Sequence, residues 1–153
     1  MKALDAIDLA ILAALQRDGR MPNVALARAV GLSPTPCGER VRALEAAGII
    51  RGYAADLDAE RLGLGLTVFI EVAIDRTSED AFGRFRQAML AIPQVQACHM
   101  VAGGFDYLVK TRVADIAAYR KFLGNVLLAL PGVKETRTYA VMEEVKTDQL
   151  LPV

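Results

Sequence analysis

Ser33, Thr35, Arg40 and Arg42 are the side chains of this chain best placed for chemistry, and that chemistry is recognition of a phosphate polymer. They fall in one segment, Gly31-Leu32-Ser33-Pro34-Thr35-Pro36-Cys37-Gly38-Glu39-Arg40-Val41-Arg42. Hydroxyls at a helix N-terminus suit phosphate oxygens, and a guanidinium fork reaches either a phosphate or a guanine edge. Glu39 either pairs locally with Arg40 or Arg42 or shares the same surface. Competing chemistries lack their parts. His99 is the only histidine, so a metal or catalytic cluster of several imidazoles is excluded. Glu143 and Glu144 alternate along a predicted strand and point to opposite faces, which rules out a paired acid and base. No phosphate-binding loop, nucleophile elbow or CxxC pattern occurs. Neither catalysis nor a metal nor a cofactor is expected.

The elements that must position these residues are legible. Gly31 follows an apolar run, Val24 to Val30, and supplies the left-handed backbone that ends a helix. Ser33 suits the next N-cap and Pro34 the first helical position. Pro36 is still within the first turn, where no intrahelical bond is lost. Cys37, Val41 and Leu44 then recur at helical spacing as an apolar stripe. Upstream, Leu4, Ile7, Ile11, Leu12 and Leu15 predict another amphipathic helix that breaks at Asp18-Gly19-Arg20. Asn23 reads as the cap of a second helix. The order helix, helix, tight turn, helix is that of a DNA-binding helix-turn-helix, and Gly48 to Tyr53 reads as a β-wing or linker strand beside it. The residues expected against double-stranded DNA are Ser33, Pro34, Thr35, Cys37, Glu39, Arg40 and Arg42. A three-helix bundle used only for packing is the competing reading.

Charge limits how this head can work. The 153 residues carry 18 basic and 18 acidic side chains, so the chain is no polycation. From Arg17 to Arg51 there are six arginines against Asp18, Glu39 and Glu45, a local excess of three. One copy so weakly charged holds DNA weakly, because neutralising phosphates supplies much of the affinity. Several copies in a dimer or larger assembly correct this. The N-terminus shows no secretory pattern, and the longest uncharged run, Gln87 to Phe105, is broken by Pro93, two glutamines, His99 and two glycines. No membrane span is expected. Two distant cysteines, Cys37 and Cys98, in apolar surroundings fit reduced thiols in the cytoplasm.

Composition shifts near Leu62-Gly63-Leu64-Gly65, which sets expected domains at residues 1–60 and 61–153. Leu66 to Ile74 alternates as a strand. A helix opening at Ser78 or Glu79 carries Phe82, Phe85, Met89 and Ile92 and stops at Pro93. Val95 to Ala102 and Tyr107 to Val113 are strands joined by the glycine turn Gly103-Gly104-Phe105-Asp106. Asp115 caps a helix that ends at Pro131-Gly132, and Val133 to Val145 is a last strand. The order β-α-β-β-α-β is a ferredoxin-like unit with both helices on one face of an antiparallel sheet. Its other face keeps apolar residues that a second subunit would cover.

With those motifs in place, the sequence resembles the leucine-responsive and asparagine-operon regulator (Lrp/AsnC, or feast/famine) family over nearly its whole length. Leu4-Asp5-Ala6-Ile7-Asp8, Leu15 to Arg20, Gly31 to Val41 and Gly52-Tyr53 carry the likeness in the first half. Gly103 to Tyr107, Leu130-Pro131-Gly132-Val133 and Thr138 to Lys146 carry it in the second. The resemblance implies an α+β fold, a winged helix-turn-helix followed by an ACT-like (RAM) domain that senses ligand and drives assembly. It implies dimers formed through the sheets, assembling further to octamers. It also implies an amino-acid effector, leucine or another, bound between subunits near the glycine hairpin. The residues carried over to that site are Met100, Gly103, Gly104, Asp106, Ile116, Tyr139, Ala140 and Val141. Gly104 stands where the pattern has an acidic residue and Ala140 where it has a larger β-branched one, and both departures bear on which amino acid fits.

Given that resemblance, the chemistry of the site follows. Backbone N–H groups at Gly103 and Gly104 would receive the effector carboxylate, Asp106 its ammonium, and Met100, Ile116 and Val141 its side chain. An ordinary hairpin with a solvated Asp106 is the alternative. For the whole chain, the expected function is a sequence-specific transcription regulator of the leucine-responsive type. It would control amino-acid metabolism genes in response to a bound amino acid. The alternative is a ferredoxin-like small-molecule-binding or enzyme-regulatory protein without DNA binding. An RNA-binding module fits less well, because the strands lack paired aromatics for stacking bases.

Overall fold

A capping box starts the first element. The Asp5 side chain accepts from the Asp8 N–H while the Asp8 carboxylate accepts from the Asp5 N–H, and helix α1 runs Ala6–Arg17 from there. The computed structural model describes residues 3–75, 80–147 and 150–153. Helix α2 (Asn23–Ala29) begins one residue earlier than expected, with Pro22 at the N-cap position. Asn23 is therefore no cap; its amide donates instead to the Pro34 carbonyl at 2.7 Å and links α2 to the next helix. Gly31, at φ 72°, makes the turn, and α3 (Pro34–Ala46) follows with Ser33 at its N-cap and Pro34 at its first position. Ile11, Leu26, Ala27, Cys37 and Leu44 form the core of this unit.

Gly48 to Tyr53 forms no strand in the chain, so the expected wing is absent among the described residues. The reason lies in its hydrogen bonds. The N–H groups of Ile49 and Ile50 both go back to the Leu44 carbonyl and close the end of α3, which leaves them unavailable to a β ladder. The chain divides into two compact units, Met1–Asp56 with Lys146–Val153, and Leu57–Val145. The first unit thus ends a few residues before the boundary expected at residue 60, and the C-terminal tail groups with the helical unit. Gln16 holds that tail as a neighbouring strand would, donating to the Leu151 carbonyl at 3.2 Å and accepting from its N–H at 2.7 Å.

In the second unit, β1 (Leu66–Ile74), α4 (Ala81–Leu90), β2 (Val95–Met100), β3 (Tyr107–Val113), α5 (Ile116–Phe122) and β4 (Val133–Ala140) follow in the expected order. Helix α5 continues as a π-helical turn, Leu123–Leu127. The helix opening expected at Ser78 or Glu79 lies outside the described residues. Strands pair antiparallel in the order β2-β3-β1-β4, the ferredoxin-like arrangement. Asp115 caps α5 by accepting from the Ala118 N–H at 2.7 Å. Val68, Ile70 and Val72 of β1 pack with Phe85 of α4, Phe122 of α5 and Leu127 beneath the helices. Burying each such side chain contributes about 1.5–3 kcal/mol.

The last strand is shorter than expected, ending at Ala140 rather than Val145. Glu144 is therefore not a strand residue. It turns onto the sheet, where it accepts from Arg112 and from Thr67, and these bonds hold its carboxyl below the usual carboxylate range. Alternation along the paired strands sends Phe69, Glu71, Leu108, Lys110 and Tyr139 to the face away from the helices.

Candidate DNA-reading helix and effector residues

The reading helix is built by the turn at Gly31 and by two tethers from neighbouring helices. The Asn23 amide grips the first turn of α3 through the Pro34 carbonyl. Further along, Arg40 Nη1 lies 2.6 Å from Asp5 Oδ2 and 2.7 Å from Asp8 Oδ1, so the N-terminus of α1 clamps the middle of α3. Hydrogen bonding to Arg40, reinforced by the Asp8 N–H, lowers the Asp5 carboxyl below its ordinary value, and the same carboxylates raise Arg40.

That clamp changes which residues of α3 are free for DNA. Arg40, expected against phosphate or guanine, is paired within the protein with two carboxylates. Glu39 shows no ion pair with Arg40 or Arg42 among the described residues. Cys37, fully buried, belongs to the core of the helical unit, and burial pushes its thiol up. Ser33, Pro34, Thr35, Glu39 and Arg42 remain exposed. Thr35, Glu39 and Arg42 lie at i, i+4 and i+7 and so share one face of α3. The Ser33 hydroxyl makes no capping bond. Asp5, Asp8 and Asn23 were missed as positioning residues. The Asp5-x-x-Asp8 spacing of a capping box was the readable signal, but nothing local connected it to Arg40.

The effector residues fall into two groups within one chain. Met100, Gly103 and Gly104 lie at the hairpin between β2 and β3. Ile116 follows β3, and Tyr139, Ala140 and Val141 lie where β4 leaves the sheet. Met100 pairs opposite Tyr107 and, through it, Val72. Ala140 pairs opposite Val68 on the far side of β1. Three strand spacings and four residues of strand separate them, on the order of 20 Å, so a single chain does not bring the two groups together. Met100 is 65% exposed. Tyr139 donates to Glu71 at 3.0 Å, and the Val141 N–H goes to the Thr67 carbonyl.

Asp106, expected to meet the effector ammonium or to be solvated, is buried and bonded to the backbone. It is 8% exposed, and its Oδ2 accepts from the Ile74 N–H at 2.8 Å. Its own N–H donates to the Val72 carbonyl and its carbonyl accepts from Val101. Asp106 thus ties the hairpin to the end of β1. Among the described residues no group of three or more histidine, cysteine, aspartate or glutamate side chains is placed to hold a metal. No helix among them is long and apolar enough to cross a membrane.

Comparison with known proteins matches both units. The AsnC-type helix-turn-helix domain fits residues 4–45, and the Lrp/AsnC ligand binding domain fits residues 67–151. The leucine-responsive regulatory protein of Haemophilus influenzae is 55% identical over 150 residues, covering 98% of this chain and 90% of that protein. That of Escherichia coli K12 is 54% identical over 152 residues, covering 99% and 93%. Among solved structures, a transcriptional regulator from Neisseria meningitidis in complex with L-Met superposes with a TM-score of 0.94 at 40% identity, covering 98% of this chain and 97% of that one. An AsnC family transcriptional regulator from Agrobacterium tumefaciens gives 0.92 at 32% identity, covering 97% of each. These relatives are named as regulators, not as enzymes. A head that presents one helix beyond a glycine turn, followed by a four-stranded ligand-binding unit, places the chain in the Lrp/AsnC family of DNA-binding transcription regulators.

Proposed function

We propose that this regulator is a cytoplasmic, homo-oligomeric switch that reads DNA through the exposed face of α3 and answers to an amino acid of the leucine or methionine type. The observation that carries the reading is the pairing, in one chain and in order, of an AsnC-type head with an Lrp/AsnC ligand-binding domain. In the head, Ser33 and Thr35 take phosphate oxygens and Arg42 takes a guanine edge or a phosphate, while Arg40 and its two aspartates hold the helix in place. The small local charge excess makes multiple copies necessary for firm binding.

The separation of the effector residues supports assembly. Met100, Gly103 and Gly104 from one copy with Ile116, Tyr139, Ala140 and Val141 from another complete a site that no single chain contains. The apolar members of the face away from the helices, Phe69 and Leu108, are the surface that a second copy covers. An aliphatic effector suits the apolar character of Met100, Ile116 and Val141. Its carboxylate goes to hairpin N–H groups; Asp106 shapes that hairpin and does not itself meet the ammonium.

An electrophoretic shift on the DNA upstream of the protein's own gene tests the reading, with leucine, methionine and other amino acids added in turn. Retention that changes with one of them, together with a particle larger than a monomer by light scattering, is the expected result. Absence of retention even at low salt would remove DNA recognition from the proposal.

A further inference from the structure

Between α4 and the edge strand β2 lies a cavity of about 600 Å³ that the effector residues, Met100 apart, do not line. Its size is in the range that holds small ligands. Phe82, Met89, Ile92 and Val95 supply apolar wall, and Arg86, Gln96 and Tyr107 supply polar groups.

Two of them, the Arg86 guanidinium and the Tyr107 hydroxyl, are donors for an anion. Tyr107 is 4% exposed, and its ring is held against Phe85 and Phe82 at centroid distances of 4.7 and 6.2 Å. Its hydroxyl has no hydrogen-bond partner among the described residues, an uncommon state for a buried phenol. Burial, more than its neighbours' charges, raises Tyr107 above its ordinary range, so the group stays a donor. Arg86 forms no ion pair among the described residues. Cys98 also lines the cavity, and burial keeps its thiol neutral. No aspartate or glutamate is present in the lining. The cavity therefore offers a cation, an O–H donor, the Gln96 amide and apolar wall, and no carboxylate to pair with an ammonium.

We propose that this cavity is a second ligand site, for a small aliphatic carboxylate that lacks an α-ammonium group, of which a branched 2-oxo acid is the type. The carboxylate meets Arg86 and the Tyr107 hydroxyl, a charge-assisted arrangement, and the branched tail lies on Met89, Ile92 and Val95. An amino acid of the same shape would bring its ammonium beside the Arg86 cation with no carboxylate to pair with it, which is costly. The site thus discriminates in the sense opposite to the effector site: it takes the deaminated counterpart. The proposal does not depend on which amino acid is the effector.

Calorimetric titration of the full-length protein with 4-methyl-2-oxopentanoate tests it, with leucine as competitor. Saturable binding is expected, weakened roughly ten-fold by Arg86→Gln and roughly five-fold by Tyr107→Phe. Leucine is expected not to displace the oxo acid. Without ligand, Tyr107→Phe should melt no lower than wild type, because the hydroxyl it removes has no partner among the described residues to lose. No binding of the oxo acid overturns the proposal, as does displacement by leucine or an Arg86→Gln variant that binds as wild type does. Leucine binding and DNA retention are read in separate titrations, so failure here and failure of the amino-acid reading are distinguishable.

Discussion

Arg40 and Asp8 meet at 2.7 Å across two helices, 32 residues apart in the chain. The contact, doubled by Asp5, turns a basic residue of the reading helix into a strut. Arg42, two positions on, stays exposed. The two arginines should therefore fail differently. Arg40→Gln should lower the melting temperature by roughly 2–5 °C and weaken every DNA sequence in proportion to lost fold. Arg42→Ala should leave melting unchanged. If Arg42 reads a base, it should cost about 1–3 kcal/mol of binding and relax sequence choice; if it holds a phosphate, it should shallow the salt dependence. Melting curves and salt-dependent DNA titrations of both variants separate these outcomes. An Arg40→Gln protein with wild-type melting and altered sequence preference would return Arg40 to the DNA surface.

The turn before α3 depends on backbone conformation alone. Gly31 sits at φ 72° with nothing within 4 Å of a would-be Cβ. Gly31→Ala should then cost about 1–2 kcal/mol from the left-handed backbone, with no steric addition. Gly31→Asn should cost less, because asparagine tolerates that region. Urea unfolding of the two variants checks the order; equal losses would place the cause elsewhere.

Acid should loosen the protein in a defined window. Asp5 and Glu144 are both lowered, the first chiefly by Arg40 and the second chiefly by Arg112 and then Thr67. Their folded values lie below the unfolded ones, so the folded state binds fewer protons. The stability they contribute is whole above about pH 4–4.5 and is lost as pH falls through the folded values. Denaturant melts from neutral pH to about pH 3 should show this loss, and Arg112→Gln should flatten part of it. A variant whose acid sensitivity matches wild type would show that the Glu144 contact contributes nothing.

Asp106 offers a sharper distinction between structural and ligand roles. Removing its carboxylate strands the buried Ile74 N–H, so Asp106→Ala should lose about 1–3 kcal/mol. Asp106→Asn keeps an acceptor oxygen and should retain both stability and amino-acid binding. Loss of amino-acid binding in a fully stable Asp106→Asn protein would restore the ammonium role first expected of it.

Much of this was legible because it is local. The 3.6-residue stripe through Cys37, Val41 and Leu44 and the two-residue alternation from Leu66 to Ile74 reflect the geometry of single elements. So do the stop at Gly31 and the cap at Asp115. Strands β1 and β3 begin and end where alternation said they would. The wing failed for a reason outside local pattern: Ile49 and Ile50 spend their N–H groups closing α3, and an isolated strand has no partner to pay for losing those bonds. Glu144 was misplaced for a related reason, since the alternation past Ala140 continues after the ladder has stopped.

By itself the amino-acid order determined the elements, their succession, the antiparallel ferredoxin-like unit and the family likeness, because periodicity, caps and turn residues act over a few positions. Tertiary structure alone decided who answers whom. It set Arg40 against Asp5 and Asp8, turned Asp106 onto Ile74, put Met100 and Ala140 at opposite ends of one sheet, and left the Tyr107 hydroxyl without a partner among the described residues. A charge or a buried hydrogen-bonding group is satisfied by whatever the fold brings near it, often more than 30 residues away, and no local spacing encodes that partner.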